Sequence, residues 1–262
     1  MNVQSNKYTV IYASIMVVAV AAVLTLVSVG LQPMQQKNID NEKKQNILAS
    51  VNVEANLDNA GDLYTKYITG SFVIDGTGNK IDGDAFTIDM KEVAKNAKDL
   101  RKLKEDGKTA EAENLKKQMK LPVFEFNKDG QKALVIPVRG TGLWDAIWGY
   151  VAVEDDCNTI YGVSFDHAGE TPGLGAEITT PGFQEQFKGK KLFANGDFHG
   201  LTVYKHGTGA ANDKEFGIDG ISGGTITSRC VGEMIFDCFS GYEKFLKSAG
   251  GKTAYNNVKI SE

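Results

Sequence analysis

The longest apolar run, Tyr8 to Gln32, carries no charged residue, and Ile15 to Val29 within it is almost wholly aliphatic. A helix needs roughly 20 such residues to cross a bilayer, so 8–32 is expected to form a membrane-spanning helix behind a short tail, 1–7. A cleaved signal peptide would show an apolar core of about 7–15 residues followed by small residues. Here the run is longer and ends in Gly30-Leu31-Gln32-Pro33, which favours a retained anchor. Met34 to Gln45 is mostly polar, and Ile47, Leu48, Val51 and Val53 follow. Either an amphipathic helix or a solvated linker fits 33–59.

Between 60 and 120 the pattern is β-like at Phe72-Val73-Ile74-Asp75 and turns at Gly76-Thr77-Gly78-Asn79. Val93, Ala97, Leu100 and Leu103 then keep helical spacing in a highly charged stretch, which predicts one or two exposed helices broken near Gly107. From Leu121 strand-like runs dominate: Val123–Phe126, Ala133–Val138, Ile147–Val153, Ile160–Phe165 and Leu201–Tyr204. Asn127-Lys128-Asp129-Gly130 has the turn residues of a hairpin, and Pro181 opens a short helix ending near Gly189. Cys230, Val231, Met234, Ile235, Cys238, Phe239, Tyr242 and Phe245 recur at helical spacing, with Thr227 or Ser228 as a natural N-cap. The sum is an α+β domain over 121–250, a twisted antiparallel sheet with packed helices, followed by a tail, 251–262.

Composition narrows the function. A net charge of −4 over 262 residues argues against nucleic acid, whose phosphates call for a clustered basic face; the charges between Met90 and Lys120 are expected to form a solvated surface. Cys157, Cys230 and Cys238 lack the close pairs of a zinc or iron–sulfur site, and the last two are expected to face inward as free thiols. His167, His199 and His206 have no partner at metal-ligand spacing, and Ser222 and Ser228 lack the setting of a hydrolase nucleophile. No catalytic residue and no metal ligand is expected. Lys7 precedes the apolar run and Lys37, Lys43 and Lys44 follow it, so the positive-inside rule alone would leave the body in the cytoplasm.

Three glycine-rich segments remain: Gly140-Thr141-Gly142-Leu143-Trp144, Glu170-Thr171-Pro172-Gly173-Leu174-Gly175, and Asp219-Gly220-Ile221-Ser222-Gly223-Gly224-Thr225-Ile226-Thr227-Ser228. The third runs into a helix start, where unpaired N–H groups and a partial positive charge favour an anion such as a phosphate. The first two could let backbone approach a planar ligand closely, with Leu143, Trp144 and Leu174 supplying apolar contact and Glu170 or Thr171 polar contact. None matches a dinucleotide or nucleoside-triphosphate loop.

In this order the three segments resemble the covalent FMN-binding domain family, over roughly Leu121 to Gly250. Asp219 to Thr225 resembles the recognition sequence of extracytoplasmic flavin transferases: Asp, two variable residues, Ser or Thr, Gly, Ala, then the acceptor Ser or Thr. Gly224 stands where that pattern usually has Ala. With its anchor and the extra region at 60–120, the chain is similar to the C subunits of sodium-translocating NADH:quinone reductases. The related G subunits of Rnf ferredoxin:NAD oxidoreductases are shorter and form the alternative. The resemblance implies FMN joined through its phosphate to Thr225. Ser222, Gly223, Gly224 and Thr227 would surround the phosphate, and Leu143, Trp144, Glu170, Thr171, Gly173 and Leu174 the ring or ribityl chain. It further implies an electron-transfer subunit of a sodium pump, with other membrane subunits as partners and a flavin transferase during maturation. The extra region would pack on the main domain, and the body would lie on the periplasmic side of a bacterial inner membrane, against the lysine bias.

Overall fold

The computed structural model describes residues 6–208, 211 and 213–249. The expected tail at 251–262, and residues 1–5 of the tail before the helix, lie outside them. The chain divides into two units, Met1–Lys43 and Lys44–Glu262.

Helix α1 (Asn6–Ser50) is unbroken and runs through Pro33. A proline removes one backbone donor and commonly kinks or ends a helix, so a stop near Pro33 would be the local expectation; the observed helix continues to Ser50. In the first unit its large apolar side chains, Val10 through Met34, are exposed. Among the described residues α1 is the one helix long and apolar enough to cross a membrane.

The second unit opens with the last turns of α1, where Ile47 and Leu48 are fully buried. Next come α2 (Ala60–Tyr67), β1 (Ile68–Ile74), β2 (Lys80–Ile81), α3 (Met90–Glu105) and α4 (Thr109–Gln118). A four-stranded meander follows: β3 (Leu121–Lys128), β4 (Gln131–Thr141), β5 (Ala146–Glu154) and β6 (Ile160–His167). The sheet order is β2-β1-β3-β4-β5-β6, with every neighbouring pair antiparallel. After a 3-10 turn at Gly175–Thr179 come α5 (Pro181–Gln184), the short strands β7 (Phe193–Ala194), β8 (Asp197–Phe198), β9 (Thr202–Tyr204) and β10 (Gly217–Asp219), and finally α6 (Thr225–Ala249).

Local chemistry explains most of the boundaries. Lys128 pairs with Gln131, leaving Asp129-Gly130 as a two-residue hairpin loop. Both have positive φ, 53° and 87°, the backbone that matches the twist of the flanking strands. Asp89 caps α3 by accepting the Lys91 N–H. The helix ends where Gly107 takes a φ of 69°, and the Lys108 and Gly107 N–H groups return to the carbonyls of Leu103 and Lys104, a Schellman closure.

Strand alternation sorts the core onto two faces. Leu134, Ile136 and Val138 of β4 join Leu100 of α3 and Ile235, Phe239 and Tyr242 of α6. Ala133 and Val135 point the other way, toward Ile47, Leu48 and Val51. Full burial contributes about 1.5–3 kcal/mol per large apolar side chain, so the apolar face of α6 holds it against the sheet. The Tyr242 hydroxyl adds a bond to the Pro122 carbonyl, 2.9 Å away. Arg101 of α3 sits 2.9 Å from the buried Asp237 of α6, in ionic contact without hydrogen-bond alignment. Burial pushes the Asp237 carboxyl up, and Arg101 only partly offsets it.

Two expectations need correcting. Cys238 is buried, but Cys230 is only half-buried; its position on α6 turns it partly outward. Burial pushes the Cys157 and Cys238 thiols up to about 12, so neither is a thiolate near neutral pH. The second correction concerns the start of α6, at Thr225 itself, so Thr227 and Ser228 lie inside its first turn and neither is the N-cap.

Candidate functional site

The three glycine-rich segments meet at one end of the sheet. The first joins β4 to β5, where the Gly142 N–H closes a tight turn on the Asp145 carbonyl at 2.7 Å. The second follows β6. There the Glu170 N–H donates to His167 Nδ1 at 3.2 Å, which gives this histidine a structural partner. The third leaves β10, which pairs in parallel with β9, and turns into α6.

Glu170 ties these segments together. Its carboxylate is buried, at 5% exposure. Oε1 accepts the Trp144 N–H at 2.9 Å, and Oε2 accepts the Thr227 hydroxyl at 2.6 Å. Burial by itself raises the acid's pKa, yet bonds from Thr227 and from the N–H groups of Trp144, Asp145 and Leu143 leave the carboxyl below its ordinary range. A Cβ at Gly142 would strike Glu170 Oε1, and one at Gly175 would come 2.5 Å from both Glu170 Oε2 and Thr227 Oγ1. A Cβ at Gly140 would come 2.9 Å from the Met234 side chain of α6. These glycines therefore serve the close packing of the protein on itself, not only the approach of a ligand.

The α6 turn is braced from within. Ser228 is buried; its hydroxyl accepts the Ile221 N–H at 2.9 Å and donates to the Gly224 carbonyl at 2.8 Å. Asp219 is fixed upstream: its carboxylate accepts the Gly207 N–H at 2.7 Å and lies 3.1 Å from His206 Nδ1, while its backbone makes two bonds to Gln186. Gly223 has a φ of 74°, in the left-handed region where a side chain is strained. At Gly224 the limit is space, since a Cβ there would lie 2.8 Å from the Leu174 carbonyl oxygen. Alanine would therefore crowd this chain even though the motif usually carries it. Gly224→Ala is expected to cost about 1–3 kcal/mol and to push the Leu174 segment aside. Denaturant unfolding and a crystal structure of the variant would test this, and unchanged stability with an unmoved Leu174 would refute it.

Between the segments lies a cleft of about 360 Å³, lined by Leu143, Trp144, Glu170, Thr171, Leu174, Gly175, Gly223, Gly224, Thr225, Ile226 and Thr227. Its size falls in the usual range for small-molecule sites, about 300–1,000 Å³. Leu143, Trp144, Leu174 and Ile226 leave exposed apolar surface at the rim, Trp144 at 70%. Of the expected residues, Ser222 and Gly173 are not in the lining: Ser222 is exposed, and Gly173 holds a turn with a φ of 75°. Gly175 and Ile226 line the cleft and escaped the reading of the sequence. Ile226 had a signal, because it is an apolar residue outside the inward-facing set of α6.

The hydroxyls near the turn differ in their commitments. Thr227 and Ser228 are buried and bonded, whereas Thr225, half-buried in the lining, has no hydrogen bond to its hydroxyl among the described residues. Among those residues, too, no group of His, Cys, Asp or Glu could hold a metal ion, and the His199 ring packs at a tilt against Phe216 with ring centroids 4.3 Å apart.

The α+β body with this cleft contains an FMN-binding domain: residues 142–240 match the family described as FMN-binding domain. Over most of its length the chain is similar to the C subunit of the Na(+)-translocating NADH-quinone reductase of Vibrio vulnificus, with 34% identity over 84% of each chain. It is 38% identical to the C subunit of the Haemophilus ducreyi reductase, covering 82% of this chain and 80% of the relative. The solved structure of the same subunit from Parabacteroides distasonis is 42% identical, with a TM-score of 0.71 over 82% of this chain and 96% of that one. The chain belongs to the family of the C subunits of Na(+)-translocating NADH-quinone reductases, components of an oxidoreductase complex.

Proposed function

We propose that the chain carries FMN covalently on Thr225 and relays electrons within a sodium-pumping NADH:quinone reductase, beside the other subunits of that complex. The observation that carries the flavin assignment is the uncommitted Thr225 hydroxyl, in the cleft at the first residue of α6, ahead of two residues, Thr227 and Ser228, whose hydroxyls are engaged. FMN fits the residues present. The first-turn N–H groups of a 25-residue helix favour a phosphate charge, and Gly223 and Gly224 line the same cleft. Leu143, Trp144 and Leu174 would cover one part of a flat ring and leave another open to a redox partner. When bound, FMN supplies the capacity to take up and release electrons.

In the attachment we propose, Thr225 would hold FMN through an ester between its Oγ1 and the flavin phosphate, drawn from FAD with AMP as the leaving group. The threonine proton passes to the flavin transferase that catalyses the exchange. Glu170 keeps the three segments in register, and Thr227, bound to it, fixes the first turn of α6. Transferases of this kind work outside the cytoplasm, which supports an extracytoplasmic body and a single anchoring helix in α1. The domain divisions at 33–59, 60–120 and 121–250 are part of the same proposal. The relatives matched over most of the chain are named as C subunits, which favours that reading over a G-type one. Intact mass of the full chain co-expressed with its transferase tests the bond: the expected increment is one FMN less one water. An unmodified chain would refute the proposal.

A further inference from the structure

A second groove, about 450 Å³, opens beside the cofactor cleft on the other side of the Leu143–Trp144 loop. It lies between α3 and the ends of β4 and β5. Lys91, Lys95, Lys98 and Lys102 line it from a single face of α3, and Arg139 lines it from β4. Their spacings of four, three and four residues stack them along one helical stripe. Two carboxylates, Asp99 and Asp145, also reach the lining. The chain as a whole carries −4, so five cations gathered against two acids run counter to its balance.

The cations on the rest of α3 behave differently. Arg101 and Lys104 lie within 4 Å of acids of their own chain, at Asp237 and Glu243. Among the described residues none of the five groove cations forms an ion pair. Lys98 donates to the Thr141 hydroxyl at 3.2 Å and its charge also acts on the buried Asp237, while Arg139 lies over the Trp148 ring. Like charges three or four residues apart on a helix destabilise it by about 0.2–0.5 kcal/mol per pair, which Asp99, four residues from Lys95 and three from Lys102, offsets only in part. An opposite charge supplied from outside would relieve that repulsion. The same residues lie next to the first cleft, because Thr141 and Asp145 flank the loop whose Leu143 and Trp144 line it.

We infer that this groove is the docking surface for an acidic segment of another polypeptide of the reductase, seating a redox partner beside the exposed rim of the cofactor cleft. The inference rests on membership of the reductase family and not on the Thr225 bond, so it stands or falls separately from flavin attachment. Charge complementarity of this kind speeds and orients encounter more than it adds affinity.

Two measurements on the full chain test it. In the first, surface lysines are acetylated, and lysines are coupled to carboxylates with a carbodiimide, in the assembled reductase and in the chain alone in the same detergent. The expected result is loss of acetylation at Lys91, Lys95, Lys98 and Lys102 in the complex, with coupling of these lysines to Asp or Glu of another polypeptide. Equal labelling in both states would overturn the inference. So would protection by phosphatidylglycerol vesicles without protection by the other subunits, which would make the groove a lipid site. In the second, the exposed lysines are reversed together as Lys91→Glu, Lys95→Glu and Lys102→Glu, and association with the remaining subunits is followed against salt. The triple variant is expected to associate about tenfold more slowly at low ionic strength, with most of the salt dependence gone. A wild-type rate with wild-type salt dependence would overturn the proposal, and the acetylation measurement, made on the unaltered chain, stays decisive if the variant folds poorly.

Discussion

Replacing Glu170 by alanine is expected to lower the melting temperature of the protein by roughly 6–12 °C, the largest single-residue loss at the cofactor end. The reason is what the side chain leaves behind. Its removal strands buried donors, the Trp144 N–H and the Thr227 hydroxyl among them, and hydrogen bonds to a charged group are worth about 1.5–3 kcal/mol each. A net loss of about 3 kcal/mol corresponds to that melting shift in a body of this size. Glu170→Gln keeps the shape but sets an NH2 group against donors, so an intermediate loss is expected. The pH dependence separates the charge from the shape. The folded carboxyl lies below its ordinary range, so its stabilisation is present above the unfolded value of about 4.3 and fades as pH falls through the lower folded value. Thermal unfolding from neutral to acid pH should therefore show a shallower acid limb for Glu170→Gln than for the wild type. A Glu170→Ala protein that melts with the wild type, or a Gln variant with an unaltered acid limb, would remove Glu170 from this role.

Glu170 also marks where the sequence stops being informative. Its place in a glycine-rich loop suggested a polar contact to a ring edge; in the fold both oxygens are taken by the protein, through partners 26 and 57 residues away. No local pattern encodes such separations. Short-range chemistry was far more readable. The Asp129-Gly130 hairpin, the break at Gly107 and the strand-like run of β4 all follow from neighbouring residues alone, whereas the pairing of β1 with β3 reaches across α3 and α4. Ser228 lies between these extremes. It reads as a cap because serine before a helix usually is one, yet α6 starts three residues earlier and the hydroxyl braces the Ile221–Gly224 turn instead. Strand β10 escaped because it is three residues long and its partner β9 is its parallel neighbour across a loop. The basic stripe of α3 was hidden differently. In sequence its lysines are interspersed with acids and look like an ordinary solvated helix, and only their placement against Arg139 gathers them into one groove.

Thr225→Ala is expected to abolish covalent flavin altogether, the largest functional effect of any single change here. The neighbouring hydroxyls are poor substitutes. Thr227 is 1% exposed and donates to Glu170, and Ser228 is fully buried with its hydroxyl engaged on both sides. Ser222 is exposed but lies outside the cleft lining. Attachment at Thr227 would require breaking the bond that holds the three segments together, at a cost of about 1.5–3 kcal/mol before any flavin is bound. Thr225→Ser restores the hydroxyl and should restore the adduct. Thr225→Val keeps the β-branched shape without the oxygen and should behave as alanine does, which separates loss of the acceptor from loss of packing. Intact mass and in-gel fluorescence after denaturation read all three, with thermal melting as the check on folding. A folded Thr225→Val chain that still bears one flavin after denaturation would place the acceptor elsewhere. Thr171 would then be the next residue to change, since it also lines the cleft and is exposed.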